Sequence, residues 1–334
     1  MPRRLIEAGS GKPLLDIASY ARPGPGRRDH LSRDEIELIA RTAGRTPEVM
    51  VKVLSRGGQD VKAVGRHIAY LNRGGDVEIE TDDGQRLSGN GVEKDLLEDW
   101  DLDLDEHRRT ADLLPRPNRS PPKLVHKVIF SMPAGTPSDK VLAAVKNFAR
   151  EEFALQHRYA MVLHTDEPHP HVHMVIKAMS EQGVRLNISK PTLRGWRREF
   201  ARHLRAEGIE ANATERAVRG NALASKPDGI FRANLRGEST HMRQRAQQLA
   251  RELVEGDSPR RFQDRGLLRT RSAVMAGWRA VSAALLAQGE RDLAGRVERF
   301  MERMPPPQSE QEALVESFLA RRRSVREIER PGSR

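Results

Sequence analysis

Apolar and polar positions fall into two regimes along this chain. Between residues 48 and 204, short alternating runs interleave with runs of helical spacing; beyond Gly237 only helical spacing remains. Glu48–Leu54 (EVMVKVL) alternates as a strand does, Gly57 and Gly58 interrupt it, and Gln59–Arg73 repeats its apolar residues at helical intervals. Val77–Thr81 predicts a short strand, residues 95–106 are an acidic stretch, and Pro115–Pro122 predicts a loop. Leu124–Met132 is a strand candidate. Ser138–Phe153 predicts a helix with Val141, Leu142, Val145, Phe148 and Ala149 on one face, and Tyr159–Thr165 predicts another strand. Asp166–Pro170 turns the chain into a strand from His171 to about Met179, and Leu193, Trp196, Phe200 and Leu204 mark an amphipathic helix.

Antiparallel strands interleaved with helices predict an α+β domain, a central antiparallel sheet with helices covering one face. Three regions are expected: an N-terminal extension over 1–46, the catalytic-type domain over 47–235 and a helical region over 236–334. In the extension, a Pro/Gly/Arg loop at Ala21–Arg28 precedes a short helix opened by Ser32, with Glu35 in capping-box spacing. The last region reads as three charged helical segments separated by Gly256–Pro259 and Pro305–Pro307, ending in an arginine-rich tail.

Composition narrows the class of function. Lys and Arg number 58 against 47 for Asp and Glu, a net charge of +11, which favours a polyanionic partner. There is no cysteine, so disulfides, thiolate metal ligands and cysteine nucleophiles are excluded and any metal must be held by His, Asp or Glu. No apolar run approaches a membrane span and no secretory signal is readable, so the expected location is cytoplasmic without membrane insertion. Aromatic residues make up only 4% of the chain, which limits base stacking to a few positions.

The sharpest chemical signal is HTDEPHPHVH at 164–173, which gathers four of the eleven histidines into ten positions. Residues two apart on a strand face the same way, so His171 and His173 present adjacent imidazoles that can share one divalent cation. His164 ends the preceding strand, and a tight turn brings it back beside the pair. Three ligands leave open positions for a substrate oxygen, as a catalytic metal requires. Asp166 is in range to orient a ligand imidazole. His169 is either an alternative third ligand or a cap for the turn.

A second signal is a tyrosine on the wrong face of its helix. Val61, Val64, Ile68 and Leu71 span about 80° of the Gln59–Arg73 helix, whereas Tyr70 lies about 180° from Val61. Arg66 and Arg73 fall on its side. A phenol ionises only near pH 10, so as a nucleophile it needs activation. Neighbouring guanidiniums favour phenolate and also grip phosphate.

With these residues in hand, the chain resembles the conjugative relaxases, or mobilisation nucleases, of the HUH endonuclease class, in the P-type mobilisation branch that includes the tumour-inducing-plasmid border endonuclease. HIAYLNRGG resembles the nucleophile motif with Tyr70 as its tyrosine, and HKVIFSMPAG (126–135) resembles the second motif, which puts Ser131 near bound DNA. HTDEPHPHVH matches the third motif, with His164, His171 and His173 as metal ligands and Asp166 as the acidic partner. ATERAVRG at 213–220 is similar to a segment that follows the catalytic fold. The resemblance runs from about Val49 to Arg219 with its motifs in the family's order, while the N-terminal extension and the C-terminal helices do not align.

The resemblance implies a ferredoxin/RRM-like sheet that carries the metal, with the tyrosine helix packed above it. It implies nicking of one DNA strand at a transfer origin through a 5′-phosphotyrosyl intermediate. The expected cofactor is divalent Mg or Mn, although an all-imidazole site also suits Zn or Ni. Expected partners are single-stranded or supercoiled origin DNA, relaxosome accessory proteins and a type IV coupling protein. Arg194, Arg197 and Arg198 are candidate phosphate contacts by charge, and Trp196, on its helix's apolar stripe, is expected to be structural. Two alternatives share these features: a rolling-circle replication initiator and a non-enzymatic DNA-binding accessory protein.

Overall fold

The computed structural model of the chain describes residues 15, 17–20, 30–54, 58–112, 122–221, 240, 243–245, 247–248, 251, 265–307 and 312. In chain order its helices and strands begin with α1 (Ile17–Tyr20), α2 (Arg33–Ala43), β1 (Met50–Leu54) and α3 (Val61–Leu71). Next come β2 (Ile79–Thr81), β3 (Arg86–Leu87), α4 (Val92–Asp99), α5 (Leu102–Asp112), β4 (Val125–Ser131) and α6 (Ser138–Phe153). The chain continues through β5 (Tyr159–His164), β6 (His171–Lys177), α7 (Lys190–Ala206), α8 (Arg265–Ala287) and α9 (Arg291–Glu302). It divides into two compact units, one containing Arg45–Ala213 and the other Leu15–Gly44 with the residues from Thr214 onward. Among the described residues, no helix is long and apolar enough to cross a membrane.

The first unit is built on a six-stranded sheet, ordered β1-β4-β6-β5-β2-β3, with every pairing antiparallel. This is the expected α+β architecture with one correction: helices cover both faces. On one face Val128, Phe130, Met161, Val172, Met174 and Ile176 pack with the apolar stripes of α6 and α7. On the other, Ala160, Val162 and Val175 pack with Val64, Ile68 and Leu71 of α3 and with Leu96, Trp100 and Leu102. The central strands show why. YAMVLH in β5 is apolar at consecutive rather than alternate positions, the composition of a strand buried on both sides.

The acidic stretch at 95–106 proves to be the end of α4 and the start of α5. Asp101, in a left-handed conformation (φ 49°), breaks the helix between them while Trp100 and Leu102 stay fully buried. The β2–β3 hairpin lies beyond the single short strand expected there, since a two-residue strand carries no periodicity. Trp196 is buried and donates its indole N–H to Glu152 at 2.8 Å, the structural role expected of it.

In the second unit, Ser32 and Glu35 form the capping box that their spacing predicts, and Tyr20 donates its hydroxyl to Glu35 at 2.6 Å. Leu15, Ile17, Leu31 and Ile39 share a core with Trp278, Val281, Leu285, Leu293, Val297 and Phe300. α8 and α9 are separated at Gln288–Glu290, where Gly289 is left-handed (φ 86°), a break that the charge pattern did not mark. The expected breaks at Pro115–Pro122 and Gly256–Pro259 and the arginine-rich tail fall wholly or largely outside the described residues.

Phe130 sits fully buried at the centre of the first core, with ring centroids 5.1 Å from Phe148 and 5.3 Å from Phe200. Phe130→Ala is expected to destabilise this unit by about 3–5 kcal/mol, through lost burial and a residual cavity. Urea unfolding followed by tryptophan fluorescence measures it; a loss under about 1 kcal/mol would mean that the core is not packed as described.

Candidate metal centre and tyrosine helix

The β5–β6 hairpin assembles the histidines. His164, the last residue of β5, lies directly opposite His171, the first of β6, and His173 follows two positions on and opposite Val162. All three project to the face that α3 covers, with ring centroids separated by 5.4 Å (His164–His171), 4.8 Å (His164–His173) and 5.1 Å (His171–His173). One donor atom from each lies within 4.8 Å of the others, and this is the one such group of three or more among the described residues.

Hydrogen bonds to backbone carbonyls decide which ring nitrogens remain free. His164 Nε2 is 2.8 Å from the Leu71 carbonyl, and His171 Nδ1 is 3.0 Å from the His169 carbonyl. A carbonyl only accepts, so both nitrogens must carry protons, leaving His164 Nδ1 and His171 Nε2 with lone pairs. Burial, followed by the neighbouring imidazoles, pushes His173 down to about 3, so it is neutral at physiological pH. Three clustered imidazoles, two of them oriented by backbone carbonyls, fit a divalent cation. His169 is exposed, and what it offers the cluster is its backbone carbonyl.

Helix α3 reaches this cluster with its C-terminal end. Asp60 caps its start, accepting from the Ala63 amide at 2.7 Å, and Val61, Val64, Ile68 and Leu71 are buried as their spacing predicts. Tyr70 is 71% exposed on the last turn, one residue before the carbonyl that holds His164. His67, one turn earlier, lies edge-on to His173 at 6.5 Å; burial and then the charge of Lys127 bring its imidazole down to about 4. Leu71 and His67 were not among the expected site residues. A main-chain acceptor leaves no mark on side-chain identity, and His67 stood in a motif read for its tyrosine.

After α3 the chain turns sharply through Arg73 (φ 54°), Gly74 (φ 70°) and Gly75 (φ 112°), all left-handed. A β-carbon on Gly75 would come within 2.5 Å of the Gly89 backbone, so the glycine is required there. The turn delivers Arg73 to Asp166 in an ion pair of 2.6 Å, both side chains nearly half exposed. For Asp166, slight burial works against ionisation, but the hydrogen bond and charge of Arg73 outweigh it and keep the carboxyl below its ordinary range. Asp166 thus meets Arg73, while the acceptor that orients His164 is the Leu71 carbonyl.

The other expected contacts separate into two groups. Ser131 is buried on β4, directly opposite His171, and Arg66 is exposed on α3. Arg194, Arg197 and Arg198 lie on α7, which packs on the opposite face of the sheet, and Arg197 pairs with Glu48 at 3.6 Å. The fold does not bring these three to the histidines. Periodicity located their helix but could not tell which face it covers.

With this geometry established, comparison with known proteins gives one consistent answer. Residues 72–209 match the family described as relaxase, MobA/VirD2-like, nuclease domain. This stretch is similar to the nuclease domain of that family. The match opens at Asn72, so Tyr70 stands just ahead of it. The chain is also similar to the T-DNA border endonuclease VirD2 of Rhizobium radiobacter, 26% identical over 198 residues, covering 54% of this chain and 44% of that protein. VirD2 of Agrobacterium fabrum is 23% identical over 223 residues (64% of this chain, 49% of that protein), and VirD2 of Rhizobium rhizogenes is 24% identical over 184 (52% and 42%). The chain spans less than half the length of these relatives. The histidine cluster lies within the matched segment.

If the cluster binds a cation, Mn²⁺ at a hundredfold excess over its dissociation constant stabilises the domain by about 2.7 kcal/mol. His173→Ala is expected to weaken binding by at least about tenfold and so to cut that stabilisation, at the same Mn²⁺ concentration, to about 1.4 kcal/mol or less. Titration calorimetry and thermal melts with and without Mn²⁺ check this; equal affinity in the variant would place the cation elsewhere.

Proposed function

We propose that this protein is a DNA-nicking relaxase that cuts one strand at a transfer origin and remains joined to its 5′ end through Tyr70. The observation that carries the reading is the hydrogen bond from His164 to the Leu71 carbonyl, because it ties the turn bearing Tyr70 to the three-imidazole cluster. The family match and the similarity to border endonucleases support it.

In this reading the Tyr70 oxygen attacks the phosphorus of a phosphodiester. A bond forms between Tyr70 Oη and phosphorus while the bond to the 3′ oxygen breaks; the phenol gives up its proton and the departing 3′ oxygen takes one up. No water is consumed, so attack by the same 3′-hydroxyl re-seals the strand. A divalent cation held by His164, His171 and His173, Mg or Mn as in such relaxases or Zn or Ni as the donor set allows, would polarise the non-bridging oxygens. Ser131, opposite His171, and Arg66, on the tyrosine helix, are contacts for the bound strand. Asp166 acts mainly by position. Paired with Arg73 it is a weak base, and the pair ties the hairpin turn to the segment after Tyr70. The protein is proposed to work on single-stranded or supercoiled origin DNA with relaxosome accessory proteins and a type IV coupling protein.

The test is incubation with a library of origin oligonucleotides and Mn²⁺, scored for a protein–DNA adduct on a denaturing gel. Wild type is expected to form the adduct, Tyr70→Phe to lower its yield by more than about 10³-fold, and chelation to suppress it. An undiminished adduct in Tyr70→Phe would move the nucleophile elsewhere, and no adduct from wild type with any origin would overturn the enzyme reading.

A further inference from the structure

The histidine-bearing face of the sheet continues past the metal centre onto β4 and β1. Strand register sets out its rows: Met50, Ser131 and His171 share one; Lys52, Ile129 and His173 the next; Leu54, Lys127 and Val175 the third. Met50 and Lys52 are exposed at the β1 margin of this face. Their neighbours Val51 and Val53 turn the other way and pack on the opposite core.

Two lysines on this face are almost equally buried, and they differ in one respect. Lys177, 8% exposed, has the carboxylates of Asp105 and Glu181 each at 3.8 Å. Lys127, 7% exposed, has no hydrogen-bond or ion-pair partner for its side chain among the described residues. Burial, and then the charge of Lys123, hold its ammonium below the ordinary lysine range, and its own charge lowers His67 on the tyrosine helix. A lysine whose stem is buried and whose partly desolvated ammonium has no counter-charge is unfavourable and is expected where an anionic ligand supplies one. Lys127 stands one row from His173, roughly 7 Å along the strand direction, which is within reach of the backbone of a strand whose phosphate lies at the cluster.

We propose that Lys127 is a phosphate ligand for the DNA strand held at the histidine cluster, with Lys52 as the outer contact on the same face. The inference rests on the relaxase reading and adds to it the direction in which the strand leaves the site, across β4 toward β1.

The full chain, as wild type, Lys127→Met and Lys127→Arg, is titrated with labelled single-stranded oligonucleotides of mixed sequence in Mn²⁺ over a series of salt concentrations, read by fluorescence anisotropy. Each phosphate neutralised on single-stranded DNA contributes about 0.7 to the slope of log K against log salt. Lys127→Met is therefore expected to flatten the slope by about 0.7 and to weaken binding at low salt, while Lys127→Arg keeps the slope. Thermal melts give a readout that a packing role would not move in the same direction: Lys127→Met should melt higher than wild type, because an unpaired ammonium is replaced by an apolar chain of similar size. An unchanged slope in Lys127→Met, or a lower melting temperature, overturns the proposal while leaving the relaxase reading intact. Failure of wild type to bind any single strand overturns both, and is seen before a variant is compared.

Discussion

One hydrogen bond organises the candidate site. The contact between the His164 ring and the Leu71 carbonyl joins residues 93 positions apart, and it serves several ends at once. It gives a partner to a carbonyl that the end of α3 leaves without one inside the helix. It fixes the imidazole so that Nδ1 is free, and it holds the turn carrying Tyr70 against the sheet. The C-terminal end of a helix also carries partial negative charge, which favours a cation beside it. Turn, tautomer and electrostatics are therefore set together.

Much of this arrangement was legible in the chain. The burial of Val61, Val64, Ile68 and Leu71 on α3 and the outward Tyr70 follow from helical spacing, and the His171–His173 pair follows from strand spacing, because both depend on neighbours only a few positions away. What eluded the sequence depends on topology. The α7 arginines read as phosphate contacts by charge, yet the strand order β1-β4-β6-β5 puts their helix on the far face. α4 and α5 read as a plain acidic stretch because, among the described residues, only Val92, Leu96, Trp100 and Leu102 are buried there, too few to establish a period. Nothing in the sequence distinguishes Lys127 from the other basic residues; its burial without the carboxylate partners that Lys177 has sets it apart.

The ion pair between Arg73 and Asp166 brings together two residues given separate tasks by their motifs. Half-exposed pairs of this kind contribute little to stability, about 1 kcal/mol at most. Its value is geometric: the left-handed turn through Gly75 brings a side chain from just beyond the tyrosine to the loop between the histidine strands.

The histidine cluster and the tyrosine helix of the proposed site differ in how far apart along the chain their parts lie. All three imidazoles come from a single hairpin of ten consecutive residues, a local structure of the kind that closes in about 1–10 μs. Seating the tyrosine helix requires a contact across the whole first half of the domain. A partly folded chain can thus gather its imidazoles, and even capture an ion, while its phenol is still unplaced. Ion uptake by itself would report a closed hairpin rather than a seated tyrosine helix.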